Sequence, residues 1–235
     1  MTRTAAASRR LPAGLAGGTG EAPRRQAFPI ILSAPSGAGK TSVARALLKR
    51  FPELEFVVSC TTRPCREGEV RGRDYDFLSE EEFLARADAG DFVEWARVHG
   101  HYYGTPRAHI DAALSNGRHV LLDVDVQGAK SLISEYPFAV SVFLLPPSLS
   151  HMAQRLHARG TEGESDLSAR LEQAVQEIPQ AKYYHYVLVN EDLKETIDLF
   201  EHILRAEEQR RSRIANWKSW IEAAYGAASG GGKRA

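Results

Sequence analysis

Ten residues near the start of the chain, Ser33–Ser42 or SAPSGAGKTS, combine the types that bind phosphate. In the pattern G-x-x-x-x-G-K-[ST], main-chain N–H groups encircle phosphate oxygens, the lysine bridges the terminal phosphates and the hydroxyl holds Mg²⁺. Gly39, Lys40 and Thr41 stand in that order, and Pro35, Ser36, Gly37, Ala38 and Ser42 complete the loop. Ala34 occupies the first glycine position. That position ends a strand and needs no positive φ, so a methyl group is tolerated and a negative φ is expected. A loop of this kind holds a nucleotide triphosphate without naming the acceptor. The N-K-x-D base-reading motif of common GTPases and the LSGGQ-like signature of transporter ATPases are both absent from the sequence.

An acceptor site is suggested downstream, where Arg63 and Arg66 lie three residues apart and Tyr75 follows within the run RDYDF. Two such arginines can aim planar forks at one phosphate, and tyrosine hydroxyls can complete its coordination. On spacing alone they read equally well as solvated charges. The apolar run VLLDVD carries Asp123 and Asp125 at its end, where ligands of parallel sheets bind. Capping of the next helix is the competing reading for Asp123. His99 and His101 flank a turn and lack a third metal ligand, which makes a solvated loop the simpler account.

Positioning these residues requires alternating strands and helices. Apolar strands are expected at Phe28–Ser33, Glu55–Ser59, His119–Val124, Ala139–Leu145 and Tyr186–Val189. Helices are expected at Gly39–Phe51, Val126–Glu135, Ser148–Ala158 and Asp192–Arg210. That alternation predicts an α/β fold, a parallel sheet with helices on both faces. Residues 61–118 break the rhythm with polar, turn-rich sequence and read as an inserted mixed α+β subdomain. Its strands are expected around Tyr75–Leu78, Phe92–Val98 and Tyr102–Tyr103. Its helix, Ser79–Ala89, should open on a capping box made by Ser79 and Glu82. The core is then 28–60 and 119–226, and a short mobile lid is expected at about 159–168. An Ala-, Gly- and Arg-rich arm at 1–27 and a tail at 227–235 are expected to be disordered. An arginine-rich transit peptide is a second reading of the arm.

Bulk properties narrow the function. With 235 residues and 43% hydrophobic residues the chain can bury a sizeable core. Lys plus Arg equals Asp plus Glu at 30 each, so no overall positive field gathers nucleic acid or an anionic membrane. The longest apolar runs fall well short of the roughly 20 residues that span a bilayer. Two cysteines, Cys60 and Cys65, without a second Cys/His pair point to a reducing compartment, and a cytoplasmic location is expected.

Taken together, SAPSGAGKTS, VSCTTRPCREGEVRGRDYDF, FVEWARVHGHYYGTPR, VLLDVDVQGAK, VFLLPP, RLHARGTEGES and YVLVNEDL resemble the guanylate kinase family closely, in order, over roughly Phe28 to Arg210. The resemblance implies a P-loop nucleoside monophosphate kinase that converts ATP and GMP to ADP and GDP with Mg²⁺, with dGMP as a second acceptor. It implies that Arg63, Arg66, Tyr75 and Tyr103 hold the GMP phosphate, and that Ser59, Glu94, Thr105 and Asp125 surround the guanine. Lys40, Arg159 and Arg170 would stabilise the transferring phosphoryl group, with Arg155 a weaker third lid arginine. Thr41 and Asp123 would support Mg²⁺, and Asn190 would lie near the adenine of ATP, or else cap the following helix. Guanine offers N1–H and N2–H₂ donors that carboxylates can accept, whereas adenine would leave them unpaired. Cys65 stands where proline is common in the family. Two other readings stay open: a non-catalytic module that reuses the acceptor cleft, and a kinase for another monophosphate. The oligomeric state is left open.

Overall fold

The computed structural model describes residues 22–98, 100–158 and 164–226. In chain order the strands are β1 (Pro29–Ser33), β2 (Leu54–Phe56), β3 (Cys60–Thr61), β4 (Asp76–Phe77), β5 (Phe92–Val98), β6 (His101–Pro106), β7 (His119–Asp123), β8 (Val140–Leu145) and β9 (Tyr186–Val189). The helices are α1 (Lys40–Arg50), α2 (Glu80–Asp88), α3 (Arg107–Ser115), α4 (Val126–Glu135), α5 (Leu149–Ala158), α6 (Glu164–Glu177), α7 (Leu193–Glu208) and α8 (Trp217–Ile221).

Five strands form one sheet in the order β2-β7-β1-β8-β9, and every pairing in it is parallel. β1 is buried along its whole length because its apolar side chains alternate between two covered faces. Ile30 and Leu32 join Val43 and Leu47 of α1 and Phe200 and Leu204 of α7. Ile31 faces the other way, into a cluster with Ile110 and Ala113 of α3 and Ala129 and Leu132 of α4. Helices thus cover both faces, and the carboxyl ends of β1 and β7 emerge side by side, with Leu32 opposite Asp123.

The second sheet, β4-β3-β6-β5, is built from the inserted segment. α2 packs Phe83 against it, stacked on Phe92 at 4.6 Å and on Tyr102 at 5.4 Å between ring centroids. Its start is the expected capping box: Glu82 N–H donates to Ser79 Oγ at 3.1 Å, and Ser79 N–H donates to Glu82 Oε2 at 2.9 Å. The strands of this sheet run from Cys60 to Pro106. α3 follows at once and buries Ile110 and Ala113, spaced i, i+3, against the central sheet, although sequence places it in the insertion.

The chain divides into two compact units, Ala27–Glu207 and a smaller one made of the two terminal segments. In the smaller unit Gln26 N–H donates to the Arg213 carbonyl at 2.8 Å and Ala215 N–H to the Arg24 carbonyl at 3.0 Å. Residues 22–26, expected within a disordered arm, therefore pair with a segment near Ile214. Residues 1–21 of that arm and the tail from 227 lie outside the described residues. Among the described residues no helix is long and apolar enough to cross a membrane.

Candidate active site

The loop after β1 wraps as its glycines require. Gly37 and Gly39 have φ of 83° and 92°, a region costly for a residue with a Cβ. Ala34 and Ala38 are buried in the cluster that α1 and α7 share with β1, so the methyl at the first glycine position is absorbed by the core. No acidic residue stands in the first turn of α1 and no side chain caps it. Its N-terminal amides and positive dipole end remain available to an anion.

Lys40 reaches across to β7. Its Nζ lies 2.6 Å from Asp123 Oδ1 and donates to the Val124 carbonyl at 2.6 Å. Asp123 therefore pairs with the loop lysine, and helix capping falls to Asp125, whose Oδ1 accepts from Gly128 N–H of α4 at 2.7 Å. Thr41 and Ser42 are exposed in the first turn of α1. From α6, Glu177 approaches the same loop, oriented by Gln173 Nε2 at 2.9 Å. Burial pushes its carboxyl pKa up, while Lys40 and the Ser36 amide pull it down.

Asn190, expected near a donor base or as a helix cap, follows β9 and lies against the loop. It is 4% exposed, and its Nδ2 donates to the Ala38 carbonyl at 2.8 Å, behind the loop. Capping of α7 belongs to Asp192, whose Oδ1 accepts from Glu195 N–H at 2.9 Å. Arg155 of α5 reaches the same place, donating to the Ala38 and Asn190 carbonyls at 3.3 Å each. Arg159 and the side chain of Arg170 lie outside the described residues.

The residues expected to form a phosphate clamp belong to the inserted segment. Arg63 is 8% exposed, packed over the rings of Tyr75 at 5.1 Å and Phe77 at 5.7 Å. Its Nη1 and Nη2 bind the two Glu69 oxygens at 2.8 Å each, and Nη1 also donates to the Pro64 carbonyl. The Glu69 carboxylate accepts Arg66 N–H as well, at 2.8 Å, and the Arg63 guanidinium holds its pKa below the ordinary range. Arg66 is exposed. Tyr103, on β6, meets Tyr75 edge to face at 6.0 Å. Burial raises the Tyr75 pKa, and the Asp123 charge adds to that effect.

The third group lies beside α4. Glu94 of β5 accepts from Thr105 Oγ1 of β6 at 2.6 Å, a pair set by direct cross-strand register. A Cβ on Gly128 would sit 3.0 Å from Glu94 Oε2 and 3.4 Å from Asp125 Oδ1. The bare backbone there lets both acids converge on the start of α4. Burial pushes the Glu94 pKa up, and Asp125 raises it further against the Thr105 hydrogen bond. Ser59 leads into β3, its carbonyl accepting from Asp76 N–H at 2.9 Å. At the carboxyl end of β7, Asp123 thus meets the loop lysine, and Asp125, two residues on, meets Glu94 of the inserted sheet at the start of α4.

A family model described as guanylate kinase matches residues 26–207. The chain belongs to the guanylate kinase family. A guanylate kinase of Thermotoga maritima is 44% identical over 184 residues, 78% of this chain and 89% of that protein. One from Symbiobacterium thermophilum is 46% identical over 184 residues, 78% of this chain and 87% of that protein. The crystal structure of guanylate kinase from Anaplasma phagocytophilum superposes with a TM-score of 0.71 at 35% identity, covering 85% of this chain and 96% of that one. Within this guanylate kinase framework, two acids were not anticipated from sequence. Glu69 could have been suspected from its position three residues after Arg66. Glu177 carries no local signal, since α6 brings it to the loop from more than a hundred residues away.

Proposed function

We propose that this chain transfers the γ-phosphoryl group of ATP to GMP, and that the residues just described carry out that reaction. A GMP phosphate oxygen attacks the γ-phosphorus, the bond to the β–γ bridging oxygen breaks, and ADP and GDP leave. No protein nucleophile is required, so catalysis rests on placement and charge. The amides of Ala34–Ser42 would hold the donor phosphates, with Lys40 leaving Asp123 to meet the charge of the transferring group. Arg63, Arg66, Tyr75 and Tyr103 would hold the acceptor phosphate. Ser59, Glu94, Thr105 and Asp125 would surround its guanine. Arg159 and Arg170 are proposed as the cations that close over the transferring group, and dGMP as a second acceptor.

One observation carries the substrate assignment: the Glu94–Thr105 pair beside Asp125, at the start of α4. Two acceptors at that point suit the N1–H and N2–H₂ of guanine, and adenine would leave them buried without donors. For the metal, the Thr41 hydroxyl and the Asp123 carboxylate are hard oxygen donors at the loop's mouth, which suits Mg²⁺. Asp123 already holds a cation, Lys40 Nζ, at 2.6 Å, so its charge is aimed into the site. Bound there, Mg²⁺ would neutralise phosphate charge and fix the triphosphate's geometry. The activity is proposed to take place in the cytoplasm on small-molecule substrates, without nucleic acid or membrane.

The test is ADP release with ATP and Mg²⁺ against GMP, dGMP, AMP and UMP. Turnover with GMP at least about 10³-fold above AMP is expected. Turnover with UMP but not GMP would sink the guanine assignment, and silence with every acceptor would favour a binding module.

A further inference from the structure

We propose that Asn190 is a positioning residue for the phosphate-binding loop, holding the Ala38 carbonyl from behind, and that its side chain does not read the donor's base. The proposal rests on the reading of this loop as the seat of a nucleotide triphosphate.

The orientation of the amide follows from chemistry. The Ala38 carbonyl only accepts, so the Asn190 atom 2.8 Å from it is the nitrogen. The amide oxygen then faces the Thr196 hydroxyl at 3.1 Å, which shares its single proton with the Asp192 carbonyl at 2.8 Å. Asn190 N–H is bound to the Leu145 carbonyl at 2.8 Å, and its own carbonyl accepts from Arg155. Each polar atom of this 4% exposed residue thus makes at least one hydrogen bond inside the protein.

That engagement bears on phosphate binding through the planarity of the peptide. In a trans unit the Ala38 C=O and the Gly39 N–H point in opposite directions. Anchoring the carbonyl against Asn190 aims the following N–H away from it, toward an incoming phosphate. Gly39 is fitted to the same contact. Its φ of +92° is one that side chains avoid, and a Cβ there would lie 2.5 Å from Asn190 Nδ2. The absent side chain at 39 is the space that the Asn190 amide occupies.

Calorimetric titration of the full chain with ATP and with inorganic tripolyphosphate, which has no base, separates a brace from a base reader. Asn190→Ala should weaken both ligands by the same factor, on the order of tenfold for one lost internal hydrogen bond, while GMP affinity stays unchanged. Thr196→Val keeps the amide but removes its hydroxyl partner. It should weaken both ligands by a smaller equal factor, with Thr196→Ser restoring wild-type affinity, and it decides the matter if Asn190→Ala does not fold. A loss confined to ATP, with tripolyphosphate binding intact, would overturn the proposal, as would an equal loss of GMP affinity. A wild-type chain that binds neither ATP nor tripolyphosphate would instead overturn the functional reading beneath it.

Discussion

Arg63 and Glu69, six residues apart, meet fork to fork, each guanidinium nitrogen 2.8 Å from its own carboxylate oxygen. The arginine is shaped before any phosphate arrives: it is stacked on Tyr75 and Phe77 and neutralised by Glu69, whose other contact is the Arg66 amide. Such preorganisation would lower the cost of ordering this side chain around the acceptor phosphate it is proposed to hold.

Replacing Glu69 by Gln leaves a buried guanidinium without its counter-charge. A stability loss of about 3 kcal/mol is expected in urea unfolding at neutral pH, together with a raised KM for GMP. Because the Glu69 pKa is depressed in the fold, its contribution is present above the ordinary carboxylate pKa and is lost as pH falls through the folded value. Wild-type stability should therefore drop more steeply than that of Glu69→Gln as the solution is acidified from neutral pH through and below the ordinary carboxylate range. Parallel curves for the two proteins would contradict the account.

Glu94 predicts a pH effect of the opposite kind. Burial raises its pKa, so it protonates at higher pH than an ordinary glutamate as the solution is acidified. A protonated Glu94 loses an acceptor for guanine, and the KM for GMP should climb in mildly acidic solution while the KM for ATP holds. Glu94→Gln should show a high KM at neutral pH and little further change on acidification.

Lys40 faces Asp123 and the loop together. Lys40→Met should lower kcat by about 10² to 10³-fold, the scale of losing one preorganised charge at the reacting group. GMP affinity by calorimetry should change little, because the residues proposed to hold its phosphate belong to the inserted segment.

Gly39→Ala combines a left-handed φ with a clash at the Asn190 amide. It should cost at least about 1 kcal/mol in thermal unfolding and weaken ATP binding far more than GMP binding. A variant that binds ATP normally would show that the loop relaxes around a Cβ.

Ser79→Ala removes one half of the α2 capping box. The expected loss is about 1 kcal/mol, seen as a Tm lowered by about 2–4 °C in a chain of this size. Steady-state constants for ATP and GMP should be unaltered.

Much of this protein is legible along the chain because local spacing carries it. β1, α4 and β9 follow from apolar periodicity, the α2 cap from Ser79 and Glu82, and the loop from Gly39, Lys40 and Thr41 in register between a strand and a helix. The two arginines and the acids at the end of β7 are visible as residue types in a fixed order. That Arg63 pairs with Glu69 and Asp123 with Lys40 was assigned by tertiary structure alone. Glu177 reaches the loop and Asn190 lies under Ala38, both across sequence gaps that no periodicity spans. The same holds for α3, which sequence placed in the insertion but whose Ile110 and Ala113 find their apolar neighbours under β7. Backbone pattern is a property of neighbours a few residues apart, so the chain determines its elements and its reactive loop by itself. Which buried polar group satisfies which is decided only once packing has excluded water and each donor must find an acceptor inside.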